Sequence, residues 1–177
     1  SHVTMSVTKL LSRIVAPSDI NVNASLNRKG TVALSLASTL HDHTYGITSD
    51  PLTQFACIFS ALIHDVDHVG VPNTQLIKEN ASIAALYKGR SVAEQNSADL
   101  AWALLMNERY QHLRNTIYDS DAEFKRFRQL IVNSVMATDI MDKDLKTLRN
   151  SRWEKAFNEA PSESNTEEAV NRRATIV

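Results

Sequence analysis

The sequence predicts an all-α protein, an incomplete multi-helix bundle of about seven or eight helices. Two observations carry this. Four Gly, four Pro and 6% aromatic residues in 177 are too few for a turn-rich β-sandwich. Apolar residues also recur at helical rather than alternating spacing along most of the chain. At 43% hydrophobic the chain can build a core, so a disordered arm is excluded.

The elements follow in order. Met5, Val7, Leu10, Leu11, Ile14 and Val15 give a first helix, which Pro17 and Ser18 stop. Residues 17–30 hold Asn, Ser, Asp and Gly and read as a loop, and residues 31–40 are short and apolar, of open type. Residues 41–50 look irregular. Asp50-Pro51 is a helix start, Asp as N-cap and Pro at the first helical position. The helix that follows carries Phe55, Ile58, Phe59, Leu62 and Ile63 and is expected to be buried, with Gly70 and Pro72 breaking the pattern. Asn73 can cap a short helix through Ile77. Amphipathic helices are expected over 91–107 and 122–139, and a polar helix over 143–157. Residues 158–173 are charged and Ser-rich, expected as a surface loop.

Nineteen Lys and Arg against twenty Asp and Glu give a net charge of −1, with no general pull on nucleic acid or anionic lipid. A single cysteine, Cys57, cannot form an internal disulfide, and a cytoplasmic, reducing compartment is the expectation. Inside an apolar helix it reads as a small hydrophobe and not as a nucleophile. The longest apolar stretch, residues 55–63, is about half of the roughly 20 residues that span a bilayer, so direct membrane insertion is not expected. No secretory signal opens the sequence. The pattern continues to both ends, so the chain is expected to be a segment of a longer protein.

The chemistry concentrates in His64-Asp65-Val66-Asp67-His68, where four ionisable side chains follow directly on an apolar helix. Burying such groups unpaired costs several kcal/mol, so something must satisfy them. A divalent metal does this: imidazole suits Zn²⁺, and a carboxylate reaches a harder ion such as Mg²⁺ or Mn²⁺. A polar helix end hydrogen-bonded to neighbouring loops does it equally well.

The run from His64 through Gly70 to Asn73 resembles the HDxDHxGxxN signature of class I 3′,5′-cyclic nucleotide phosphodiesterases. Ser91-Val92-Ala93-Glu94 resembles the family's downstream S-V-x-E block, Leu86-Tyr87 the stretch before it, and Ala137-Thr138-Asp139 the later A-T-D block. The resemblance covers residues 51–157 well and the first fifty poorly. It implies a phosphodiesterase/HD-type helical bundle, with residues 1–177 forming part of a catalytic domain. The implied cofactors are two divalent ions, Zn²⁺ and either Mg²⁺ or Mn²⁺. His64 would bind the tight, zinc-like site, and Asp65 would sit between the two metals. His68 would stand near the metal-bridging water, and Glu94 would be hydrogen-bonded close to it. Thr138 and Asp139 would line the metal pocket, and Asp67 would cap or orient. The implied reaction is hydrolysis of cyclic AMP or cyclic GMP to the 5′-nucleoside monophosphate in signal transduction. The implied partners are that substrate and, in the parent chain, regulatory or cyclase domains; the parent could itself be membrane-anchored.

Other accounts of the same residues stay open. Ser91-x-x-Glu94 is also a capping box. Thr138 and Asp139 could end a helix in solvent, and Asn73 could be an N-cap. His112 is expected in a surface loop between two long helices, and Trp102 in the core.

The departures from the family pattern are specific. Where the family has Asn-His-His after the glutamate, this chain has Gln95-Asn96-Ser97. The upstream H-N-x-x-H motif, source of the acid histidine and a metal ligand, is absent; Ser1-His2-Val3 resembles the residues that follow it, which makes His2 a bystander. His41 and His43 have the wrong spacing to replace it. The last metal-binding Asp and the purine clamp have no match before Val177. Two ligands do not close a high-affinity site, so the segment alone is expected to bind metal weakly and to be nearly inactive. The alternatives are another HD-type metal phosphohydrolase and a degenerate, non-catalytic phosphodiesterase-like binding domain.

Overall fold

The computed structural model describes residues 2–14, 47, 50–79 and 81–157. The loop expected over 17–30, the segment 31–40, His41, His43 and the tail 158–173 lie outside these. The described residues form helices joined by turns, with no strand among them, as the composition predicts. We number the helices α1 (His2–Leu11), α2 (Pro51–Ile63), α3 (Asn73–Glu79), α4 (Ala81–Leu86), α5 (Val92–Leu105), α6 (Gln111–Ile117), α7 (Asp121–Met136) and α8 (Lys143–Phe157).

The centre is a packing of α2 and α7, with α5 and α1 laid against them. Leu52, Ala56 and Ile63 recur along one face of α2, and Phe127, Leu130, Ile131 and Val135 along one face of α7. Ala98, Ala101 and Leu105 give α5 a mostly small-residue face that lets its backbone approach. Phe127 is fully buried, with Phe55, Phe59, Trp102 and Tyr118 around it at ring-centroid distances of 5.8, 6.0, 6.3 and 6.0 Å. Trp102 borders this core rather than filling it. Cys57 is partly buried, and burial pushes its thiol up from the ordinary value, as suits a packing residue. A smaller cluster of Leu76, Val92 and Ala93 joins α3 to α5.

Element ends show where sequence patterns mislead. Helix α1 stops at Leu11 rather than near Val15, where the Ser12 hydroxyl donates to the Lys9 carbonyl at 2.8 Å. The expected start at Asp50-Pro51 is present, the Asp50 side chain accepting the Leu52 N–H at 3.1 Å. Helix α2 ends at Ile63, so the HDVDH run is a turn, not a continuation. Helix α5 is Val92–Leu105, shorter than expected; the Arg114 guanidinium donates to the Leu105 and Asn107 carbonyls, both at 2.7 Å, satisfying its C-terminal end. Helix α7 ends at Met136, before Thr138 and Asp139. His112 lies in α6, not in a loop; the segment is too short and polar to show a period.

Asp50 also ties α2 to α7. Arg126 pairs with its carboxylate and donates to the Thr53 hydroxyl at 3.1 Å, while Thr53 itself donates to Asp50. Burial raises the Asp50 pKa, but the Thr53 hydrogen bond and the Arg126 charge outweigh it, so the carboxyl lies below its ordinary value. A depressed carboxylate contributes stability that is complete above the unfolded-state value near about 3.9 and is lost as pH falls through the folded-state value. Thermal melts of Asp50→Asn should therefore show a lower midpoint at pH 7, and the gap to the unaltered chain should narrow below about pH 4. A gap of constant size down to pH 3 would deny the ion pair this role.

Candidate active site

The turn after α2 is built from its own backbone. The Val66 N–H donates to the Ile63 carbonyl at 3.0 Å and the His68 N–H to the Asp65 carbonyl at 3.1 Å. Asp67 takes φ +62° and Gly70 φ +80°. Left-handed backbone is open to Gly and tolerated by Asp, whose short polar side chain can bond locally.

The turn gives its two histidines opposite tautomers. His64 Nδ1 lies 3.0 Å from the Ala61 carbonyl. A carbonyl only accepts, so Nδ1 carries a proton, and Nε2 is the nitrogen that faces Asp65. His68 Nδ1 instead accepts the Gly70 N–H at 3.0 Å, so its Nε2 carries a proton and is a donor. His68 is exposed and lies off any helix.

His64 Nε2 sits 3.0 Å from Asp65 Oδ2. A lone pair facing a carboxylate oxygen at that distance is repulsive unless a positive charge lies between them. A proton can supply it, and so can a divalent cation held by one imidazole nitrogen and one carboxylate oxygen. The pair thus fits part of a metal site, with Asp65 largely open to solvent. Among the described residues no three His, Cys, Asp or Glu side chains converge to hold a metal ion.

The other expected residues meet around Asn73. Its Nδ2 donates to Glu94 Oε2 at 2.8 Å and to Asp139 Oδ2 at 3.3 Å, and its Oδ1 accepts the Ala93 N–H at 2.9 Å. Asn73 therefore caps α5 from outside, and not its own helix. The capping box is corrected by this: Ser91 has φ +38°, its hydroxyl makes no cap bond, and it is buried without a partner among the described residues. Left-handed backbone turns its side chain away from the helix end it would cap. Asp139 is buried, and its Oδ1 accepts the Met141 and Asp142 N–H groups at 3.0 and 3.1 Å. Thr138 is exposed and donates to the Val135 carbonyl at 2.7 Å, so it closes α7.

Two residues that depart from the family pattern, Asn96 and Ser97, hold the turn after α2. Ser97 is fully buried and donates to the Val66 carbonyl at 2.6 Å, and Asn96 Nδ2 donates to Asp67 Oδ2 at 3.0 Å. Sequence reasoning left both out of the site, and Asn73 too. For Asn73 the signal was present, as the last residue of the HDxDHxGxxN run.

The family model described as 3′5′-cyclic nucleotide phosphodiesterase matches residues 30–176. The chain belongs to the 3′,5′-cyclic nucleotide phosphodiesterase family. The human cGMP-inhibited 3′,5′-cyclic phosphodiesterase 3A is 36% identical over 108 residues, which are 55% of this chain and 9% of that protein. The human dual specificity calcium/calmodulin-dependent 3′,5′-cyclic nucleotide phosphodiesterase 1C is 38% identical over 86 residues, 49% of this chain and 12% of that one. The chain thus spans about a tenth of the length of these relatives. The phosphodiesterase domain of Salpingoeca rosetta rhodopsin phosphodiesterase shares the fold at a TM-score of 0.52 and 23% identity, over 80% of this chain and 44% of that one. No helix among the described residues of this phosphodiesterase family member is long and apolar enough to cross a membrane.

Proposed function

We propose that residues 1–177 form part of a catalytic domain that hydrolyses the 3′ P–O bond of cyclic AMP or cyclic GMP. The observation that carries this reading is the His64–Asp65 pair, with Nε2 and a carboxylate oxygen 3.0 Å apart. His64 and Asp65 would hold a divalent cation, Zn²⁺ in the tighter position, with Asp65 shared toward Mg²⁺ or Mn²⁺. Bound there, the ions would polarise the phosphoryl oxygens and lower the pKa of water.

The remaining work falls to protein groups. In the overall reaction water oxygen bonds to phosphorus, the bond to the 3′ oxygen breaks, and that oxygen leaves with a proton. His68 Nε2–H is a donor that would orient the attacking water. Glu94 has one oxygen held by Asn73 and the other without a partner among the described residues, so it can accept a hydrogen bond from that water. Asp139 acts through Asn73, and Thr138 ends the helix beside it. The proton for the 3′ oxygen would come from a histidine of the longer protein, since no H-N-x-x-H occurs here. We place the chain in the cytoplasm, in keeping with its single, partly buried thiol, and regulatory or cyclase domains would lie in the same longer protein.

The full-length gene product should hydrolyse cyclic AMP or cyclic GMP when given Mn²⁺ or Mg²⁺ with trace Zn²⁺. Asp65→Ala should lower turnover at least about 100-fold, and the 177-residue chain alone should be nearly inactive. A folded full-length product inactive on both nucleotides would overturn this reading in favour of a non-catalytic binding member.

A further inference from the structure

We propose that Asn96 and Ser97 form a latch that fixes the His64–His68 turn, and that both are positioning residues for its metal-binding pair. What the turn binds rests on the phosphodiesterase reading; the latch itself rests on geometry alone.

Residues 65–70 are all exposed, and the local backbone bonds close the turn without anchoring it to the rest of the fold. A cavity bordered by Asp67, His68, Val71, Leu76 and Ala93 lies beside the turn, so there is room for it to shift. Two bonds from neighbouring positions on α5 prevent this. Ser97, fully buried, places its hydroxyl proton on the Val66 carbonyl at 2.6 Å, a backbone contact indifferent to the side chain at 66. Asn96 holds the Asp67 carboxylate at 3.0 Å, where the backbone is left-handed. Glu94 leaves the same helix and is held by Asn73. The first half of α5 is therefore a rigid strut carrying both the turn and Glu94, and the latch sets the distance between them. Where the family pattern has two histidines, this chain uses a hydroxyl and an amide that spend their donors on the turn.

The test compares the unaltered full-length gene product with its Ser97→Ala, Ser97→Thr and combined Asn96→Ala, Ser97→Ala variants. Amide hydrogen exchange over residues 64–70 reads the turn, and Mn²⁺ titration followed by electron paramagnetic resonance reads the pair. The alanine variants should exchange at least about 10-fold faster there and bind Mn²⁺ about 10–100-fold more weakly. Ser97→Thr keeps the hydroxyl, so it should stay near the unaltered chain in both readouts even where its added methyl lowers the unfolding midpoint. Unchanged exchange in the double variant overturns the latch. Faster exchange with unchanged Mn²⁺ affinity overturns the positioning role. Faster exchange in a protein whose unaltered form takes up no Mn²⁺ overturns the metal reading and leaves the latch standing.

Discussion

Replacing Phe127 with alanine will lower the unfolding free energy by about 3–5 kcal/mol, the cost of emptying a fully buried aromatic site. Phe127 is 0% exposed, and four other rings face it, from α2, α5 and the segment before α7. No single neighbour can move to fill the space without leaving its own contacts. A domain has only about 5–15 kcal/mol in total, so the variant will be marginal. In urea the midpoint should fall by roughly 2 M, at a slope of about 1–3 kcal/mol per M. Trp102 fluorescence is a direct probe, since its ring lies 6.3 Å from Phe127. Phe127→Leu, which refills part of the void, should lose less. A midpoint shift under about 0.5 M for the alanine variant would show that α2 and α7 are not held together at this point.

Substituting Asn73 will be nearly as costly and will reach the site as well. Asn73→Ala removes two donors and an acceptor at once, leaving the Ala93 N–H, Glu94 and buried Asp139 each short of a partner. The expected loss is about 2–4 kcal/mol. Asn73→Asp keeps the acceptor for Ala93 but sets a third carboxylate against Glu94 and Asp139. Like charges held together favour protonation of one of them, so this variant should be the less stable of the two at pH 8 and recover toward pH 5. Thermal melts at the two pH values check this. A pH-independent deficit in Asn73→Asp would mean that the carboxylates stand apart in solution.

The order of elements was legible where composition and punctuation agreed. The apolar run after Asp50-Pro51 gave α2, and the polar helix over 143–157 was bounded as the structure has it. What escaped was conformation that a residue pattern does not encode. Ser91-x-x-Glu94 reads the same whether Ser91 is extended and caps α5 or left-handed and cannot. The HDVDH run follows the apolar helix without a break in the sequence, yet the helix stops at Ile63 and Asp67 takes φ +62°, so His68 leaves the helical face. The motif blocks nominate His64, Asp65, Glu94 and Asp139 as candidates. Their connection is not legible there, because it runs through side-chain amides and a hydroxyl, Asn73, Asn96 and Ser97, whose partners lie 20–66 residues away. No local window spans such distances.

That span also orders the assembly of the site. The His64 ring contacts the Ala61 carbonyl, three residues back, so this one bond can form as soon as the last turn of α2 does. Helical turns form within about a microsecond. The bond from Asn73 to Asp139 closes a loop of 66 residues and waits until α3, α5 and the end of α7 have docked. Each doubling of such a loop costs only about 0.6 kcal/mol more, but closure precedes any reward from the contact. A partly folded chain would therefore hold the His64 ring before Asn96 and Ser97 reach the turn and while Glu94 still lacked a fixed place.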